Sequence, residues 1–210
     1  MTDHKDRNIE TYGKNAADLA RFYNSKSTPD IWPQFAGLVT ALADKGTKHA
    51  LDIGCGSGRD AFWMASQGLN VTAVDAAAGL LAQADAEHGH EKIAYLEDTA
   101  PALDNLKKTA KGQTFDVILL SAFLFHLDKD ERKELFSYLS SLLNANGFIF
   151  ATLRRGPVPE GRVMYDVPTH ELWALANQHG LSTTDYGHSP DPMGRAEVSW
   201  STMSIHKPVL

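Results

Sequence analysis

The chain has 210 residues, of which 43% are hydrophobic and 22% charged, and a formal net charge of −6. That balance suits one soluble globular domain with a full apolar core and argues against a broad basic face for duplex nucleic acid. The lone cysteine, Cys55, excludes an internal disulfide, the polar start MTDHKDRNIE lacks an apolar signal region, and no apolar run approaches the roughly 18 residues of a membrane span, so a cytoplasmic protein is expected.

Residues 1–46 read as a helical prefix that covers the rest of the chain, with residues 47–210 as its core. Ile9, Tyr12, Ala16, Leu19 and Ala20 recur at spacings of three and four, as do Phe35, Leu38, Val39 and Leu42. Ser27-Thr28-Pro29 and Trp32-Pro33 interrupt that pattern and predict a loop or kink.

The stretch ALDIGCGSGRDAFWMASQG, Ala50 to Gly68, predicts a buried strand, a glycine turn and an amphipathic helix. Gly54, Gly56 and Gly58 let the backbone take positive φ and let a ligand approach closely. Ser57 followed by Asp60 has the pattern of a capping box, which sets the helix start inside the glycine run and turns its N–H groups toward that ligand.

Leu69 to Asp75 (LNVTAVD) predicts a second strand that ends in an acid, and Ala76 to Glu87 a helix. Ile93 to Leu96 is a short third strand leading to Glu97-Asp98. Pro101 then fits the first turn of a helix that ends by Gly112. Phe115 to Leu120 (FDVILL) is the continuous apolar run of a central strand covered on both faces. Asp128 with Glu131 starts a helix whose buried stripe is Leu135, Leu139 and Leu142, followed by a strand at Gly147 to Leu153. A polar loop, Arg154 to Pro168, precedes a helix at Thr169 to His179. Strands at Leu181–Tyr186 and Val198–His206 have only the loop Gly187–Arg195 between them, so they must pair antiparallel. The fold class is therefore α/β: a doubly wound, mostly parallel sheet with an antiparallel C-terminal strand pair and an N-terminal helical cap.

A glycine turn after the first strand, with an acid at the end of the second, is common to several nucleotide-binding enzymes. Asp75 lies 21 residues after Gly54, a spacing that brings an acid to a ribose diol. A dinucleotide fingerprint needs Gly or Ala at position 59, where this chain has Arg59. Asp52, two residues before the first glycine, would oppose a pyrophosphate but suits an ammonium group. S-adenosylmethionine carries both a ribose diol and an ammonium.

The motifs LDIGCGSG, VDAAAGLL, LEDTAPAL, FDVILLSAFLFHL and LLNANGFIFATL, in this order, resemble the successive motifs of the class I (seven-stranded, Rossmann-like) S-adenosylmethionine-dependent methyltransferases. The resemblance covers about residues 10 to 206. It implies S-adenosyl-L-methionine as cofactor, S-adenosyl-L-homocysteine as product, and no metal. Asp52 and the turn Gly54, Cys55, Gly56 and Gly58 would face the methionine part, with Cys55 a small filler. Asp75 would accept the ribose hydroxyls, Ala76 would line the adenine, and Asp98 would take its amino group with Thr99 beside it. Ser121 would lie near the sulfonium. Tyr12 resembles a tyrosine placed over the cofactor carboxylate, although a core tyrosine fits it as well; Arg21 and Tyr23 are weaker versions of the same idea. Ala77 departs from the family, which often has a helix-capping Ser there, without touching the ribose contact.

Methyl transfer needs alignment first and a base only where the nucleophile carries a proton. His126, just past the fourth strand, is the candidate base. Arg154 and Arg155, leaving the fifth strand, could clamp an acceptor carboxylate or phosphate, and Arg195 and Trp200 are candidates for the same acceptor pocket. Ser121-Ala122-Phe123-Leu124 stands where nucleic-acid amino-methylating enzymes carry an N-P-P-Y-type tetrapeptide, which favours a small-molecule acceptor with no extended nucleic-acid surface and no membrane. Three alternatives stay open: a tRNA or protein acceptor, a catalytically silent adenosylmethionine-binding protein, and a nucleotide-dependent oxidoreductase. Oligomeric state is not written in these motifs.

Overall fold

The computed structural model describes residues 3–43, 46 and 48–208. The prefix forms four helices: α1 (Asp3–Lys14), α2 (Ala16–Tyr23), α3 (Thr28–Ile31) and α4 (Pro33–Ala43). Its residues 1–2 and 44–45 lie outside the described residues. The loop expected around Ser27–Pro33 is instead the single turn α3. Ser27 and Asp30 close a capping box there, and Pro29 fits the first turn because its missing N–H has no partner to lose.

The core then alternates strand and helix: β1 (His49–Ile53), α5 (Arg59–Ser66), β2 (Asn70–Asp75), α6 (Ala78–His88), β3 (Ile93–Glu97), α7 (Asp104–Thr109) and β4 (Phe115–Leu120). A short 3-10 turn at Leu124–His126 leads to α8 (Lys129–Leu142), β5 (Leu143–Arg155), α9 (Thr169–Gln178), β6 (Ser182–Pro190) and β7 (Ser199–His206). The strands form one seven-stranded sheet in the order β3-β2-β1-β4-β5-β7-β6. The first five are parallel, while β7 pairs antiparallel with both β5 and β6. The expected doubly wound sheet with its antiparallel C-terminal pair is therefore present.

Burial explains which strands the pattern located best. All six residues of β4 are buried, as a strand covered by helices on both faces requires. On β5, Gly147 to Leu153 is buried and pairs with β4 and β7, but the strand begins at Leu143, where Leu143 opposes Phe115 across an irregular register. β6 is the exposed edge and runs on to Pro190, beyond the expected end at Tyr186. The Asp128–Glu131 capping box does start α8.

Three helix starts differ from expectation. At α5 the N-cap is Gly58, at φ +78, rather than Ser57. The Ser57 hydroxyl donates to Asn24 of the prefix, and the Asp60 carboxylate is held by Arg59 and Thr28, so neither side chain is left for the backbone. Pro101 precedes α7 in a turn; the helix opens only at Asp104, after Leu103 at φ 49. α6 likewise opens at Ala78 rather than Ala76, because Ala76 and Ala77 form the turn that wraps the Asp75 carboxylate.

α1 and α2 lie across the carboxyl ends of the strands. Tyr12, Ala16 and Leu19 pack on Ala77, just before α6, and on Leu80 of α6. Farther along α1, Asn8 pairs both ways with the Val163 backbone, and Thr11 donates to the Gly161 carbonyl. Lys5 reaches Glu131 of α8 at 2.5 Å. Beneath them, α3 is tied to α5 by the buried bond from Thr28 to Asp60, 2.7 Å. The prefix is thus a roof, pinned to loops from both halves of the sheet. Among the described residues no helix is long and apolar enough to cross a membrane.

Candidate active site

The chain runs from β1 outward to β3, then crosses back to β4 and onward to β5, so β1 and β4 flank the point where strand order reverses. In an open parallel sheet the crevice outside the carboxyl ends at that point is the natural ligand site. Here it holds a cavity of about 220 Å³. Gly54–Ser57 after β1, Asp75–Ala77 after β2, Asp98–Ala100 after β3 and Ser121–Phe123 after β4 all line it. Arg154 at the end of β5 and Trp200 on β7 complete the far side.

The glycine turn is built for close approach at one position and for close packing at another. Gly56, at φ +54, would carry a Cβ into open space, with nothing within 4 Å, and it faces the cavity. At Gly58 a Cβ would meet the Tyr95 hydroxyl at 2.7 Å and the Ala84 methyl at 2.9 Å, so this glycine lets α5 sit against α6 and β3. Four of the turn's amides are bonded to the protein itself. Gly54 and Cys55 both donate to the Val74 carbonyl, Gly58 donates to Cys55, and Gly56 donates to Asp75 at 2.9 Å. A pyrophosphate is held by free amides at such a turn; here the Gly54, Cys55, Gly56 and Gly58 donors are already committed.

Asp75 accepts from Gly56 on one oxygen and from Ala77, at 2.8 Å, on the other. These bonds aim the carboxylate and leave further lone pairs facing the cavity. Burial raises its pKa above the ordinary range, against the pull of the three backbone donors. Asp98 is oriented in the same way by the Thr99 and Leu106 amides. Leu80, Ala100 and Leu103 supply an apolar wall between the two acids.

Asp52 lies one step behind this surface. It does not line the cavity, is 1% exposed, and one of its oxygens has no donor among the described residues. Burial, then the neighbouring Asp60 charge, pushes its pKa well up. Cys55 lines the cavity but is buried, and burial raises its thiol pKa far from nucleophilic range. Ser121 lines the cavity as expected; its hydroxyl accepts from the Trp32 indole at 3.1 Å.

His126 faces the cavity from below the roof. The Asn8 amide nitrogen lies 3.3 Å from Nδ1, and the Tyr12 hydroxyl lies 3.2 Å from Nε2. Because the Asn8 carbonyl oxygen accepts from Val163, its nitrogen must be the atom facing the ring, so Nδ1 is the acceptor and Nε2 carries the proton toward Tyr12. Burial lowers the His126 pKa to about 4, helped by the Arg162 charge. The ring is neutral, and its one basic nitrogen is already occupied.

Of the expected acceptor residues, Arg154, Arg195 and Trp200 line the cavity, whereas Arg155 does not. Successive residues on a strand face opposite ways, and Arg155 turns to the Val167 carbonyl and Asp166. Arg162 lines the cavity in its place, with its guanidinium 4.4 Å from the Tyr12 ring centre. Trp32 and Asn8 also belong to the site's architecture. Sequence reading marked Trp32 only as a break in the helical pattern, and nothing local distinguishes Asn8. Tyr12 and Tyr23 are in the lining, and Arg21 is exposed on the outer face of α2.

Residues 50–147 match the model of a family described as a methyltransferase domain. The 1,6-didemethyltoxoflavin N1-methyltransferase of Burkholderia thailandensis, solved with 1,6-didemethyltoxoflavin and S-adenosylhomocysteine, has the same fold: the TM-score is 0.72 at 19% identity, covering 99% of this chain and 90% of that one. The chain has the fold of the class I methyltransferases. Among other methyltransferases of this fold, magnesium protoporphyrin IX methyltransferase of Synechocystis with bound S-adenosylhomocysteine gives a TM-score of 0.69 at 14% identity, covering 97% of this chain and 99% of that one. By sequence, human glycine N-methyltransferase is 27% identical over 178 residues, 72% of this chain and 60% of that one. The chain spans 48–60% of the length of the curated relatives it matches.

Proposed function

We propose that this chain is a methyltransferase that moves a methyl group from S-adenosylmethionine to a small-molecule acceptor. One observation carries the choice of donor: Gly56 opens a side-chain-free face on the cavity while the amides of Gly54, Cys55, Gly56 and Gly58 are bonded to β2 and to the turn itself. That suits a ligand held by shape and by acids rather than by a phosphate cradle, and so disfavours a dinucleotide. The residues fit the donor. Asp75 has lone pairs free for two ribose hydroxyls, the wall of Ala76, Leu80 and Leu103 fits an adenine, and Asp98 can take its amino group. Asp52 does not reach the cavity, and burial disfavours its charged form, so it makes no direct contact with the donor's cationic end.

When bound, S-adenosylmethionine supplies a methyl carbon already activated by a sulfonium. What remains for the chain is alignment, which can be worth roughly 7–11 kcal/mol. The roof of α1 and α2 covers part of the cavity, with Tyr12 and Asn8 of α1 in its lining. His126 holds the Tyr12 hydroxyl in place and is a positioning residue: at neutral pH it is uncharged, and Asn8 occupies the nitrogen that would take a proton. The roof over the cavity supports a small acceptor, as do the small molecules named for its structural neighbours.

The test is transfer of tritiated methyl from S-adenosylmethionine to a fractionated metabolite extract. Label in a low-mass product is expected. Label in RNA or protein instead, with none in small molecules, would overturn the acceptor class.

A further inference from the structure

The side of the cavity away from the acids is cationic. Arg154 projects from the end of β5, Arg162 from the loop before α9, and Arg195 from the loop between β6 and β7; all three line the cavity and are half-buried. Only Arg195 has a carboxylate partner there. The Asp191 side chain, fully buried, takes two N–H groups of Arg195 at 2.9 and 2.8 Å and the Trp200 indole at 2.7 Å. Arg154 donates to the Gly156 carbonyl at 3.1 Å, and Arg162 lies over the Tyr12 ring. Neither has an ion-pair partner among the described residues. Burial lowers the Arg154 pKa, and repulsion from Arg195 and Arg162 adds to the effect.

Three cations facing one carboxylate, in a chain whose net charge is −6, is an arrangement that repels itself until an anion enters. A guanidinium fork matches the oxygens of a carboxylate or phosphate, and partial burial strengthens that attraction relative to open water. Position assigns the anion to the acceptor. The acids that fit the donor's adenosine end β2 and β3, while Arg154 ends β5. Strands about 4.8 Å apart place β5 roughly 14 Å from β2 across the sheet, on the far side of the turn that receives the methionine part.

We propose that Arg154 and Arg162, with Arg195 fixed by Asp191, form an anion subsite that selects acceptors bearing a carboxylate or phosphate. The proposal rests on the methyl-transfer reading, and the wall of Tyr12, Trp32 and Trp200 sets the remainder of the acceptor on an aromatic surface.

The four tryptophans provide the readout: the indole N–H resonances of Trp32 and Trp200 lie at the cavity, and that of Trp173 lies on the exposed surface. The full chain, saturated with S-adenosylhomocysteine, is titrated with acetate, inorganic phosphate and neutral acetamide, and S-adenosylhomocysteine affinity is measured separately by calorimetry. Saturable shifts of Trp200 and Trp32 with acetate or phosphate are expected, with none for acetamide and none at Trp173. The tighter of the two anions identifies the acceptor group. Arg154→Gln and Arg162→Gln should each weaken the anion at least tenfold and change S-adenosylhomocysteine affinity less than twofold; Arg154→Lys, which keeps the charge, should recover part of the loss. Acetamide shifts equal to those of acetate would overturn the proposal, as would anion binding that survives both Gln variants. A tenfold loss of S-adenosylhomocysteine affinity in the Gln variants would also overturn it, since the arginines would then hold the cofactor's own carboxylate. Failure of the unmodified chain to bind S-adenosylhomocysteine at all would refute the underlying reading instead, and calorimetry detects that independently of the anion.

Discussion

Replacing Gly56 with valine probes the cradle directly. Its φ of +54 is one that L-residues adopt at a cost of roughly 1–2 kcal/mol, with a β-branched side chain at the upper end. For a chain of this size each 1 kcal/mol lowers Tm by about 2–4 °C, so Gly56→Val should melt about 4–8 °C lower and still fold. Its isopropyl group would stand in the cavity, within contact distance of any atom lying over the turn. S-adenosylhomocysteine binding should fall at least about 1000-fold, equivalent to about 4 kcal/mol. Gly112→Val is the matched control. That glycine, at φ +77 with nothing within 4 Å of its Cβ position, is exposed before β4, at the opposite end of the strand from the cavity. It should lose similar stability and bind normally. Calorimetry and thermal melts on both variants decide the matter. Gly56→Val binding within tenfold of the unmodified chain would mean that the ligand does not pass over this turn.

Asp75→Asn should weaken S-adenosylhomocysteine by about 1.5–3 kcal/mol, the worth of hydrogen bonds to a charged group. Because burial raises the Asp75 pKa and ribose hydroxyls favour its ionised form, affinity of the unmodified chain should fall as pH drops through the upper carboxylate range, whereas Asp75→Asn should give a flat profile; parallel profiles would remove Asp75 from the ribose contact. His126, its pKa lowered from 6.5 to about 4, contributes stability that is complete above pH 6.5 and is lost as pH falls toward 4, because only the unfolded chain takes the proton in that window. Urea unfolding should show the unmodified chain losing up to about 3 kcal/mol more than His126→Asn between pH 7.5 and 4; equal losses would refute a buried neutral ring. Arg132, 3% exposed, holds both oxygens of Glu171 and joins α8 to α9. Arg132→Met should cost about 3–5 kcal/mol by stranding the Glu171 charge, and the double variant with Glu171→Leu should regain much of it. A double variant no more stable than the single one would show that packing, not charge, is what the pair supplies.

The strands were legible because burial on both faces leaves an unbroken apolar run, as at Phe115–Leu120, and because the acids and glycines of the site sit where those runs end. The Asp128–Glu131 box was legible for the opposite reason: both partners are three residues apart and nothing distant competes for them. Ser57 and Asp60 carry the same local pattern, but Asn24, Thr28 and Arg59 claim their side chains. Nor does strand alternation alone reveal that Arg154 faces the cavity and Arg155 the loop, since the inward face depends on pairing with β7. Arg162 and Asn8 meet the site across about 150 residues of chain, through Tyr12 and Val163, and leave no local signal.

The most direct test of the proposed donor is a calorimetric titration of the full chain with S-adenosylhomocysteine, run beside NAD(H). One-to-one binding of S-adenosylhomocysteine near or below about 10 μM, roughly −7 kcal/mol, is expected, with no heat from NAD(H). No binding of S-adenosylhomocysteine up to millimolar concentration, or NAD(H) binding in its place, would contradict the assignment of this cavity to adenosylmethionine.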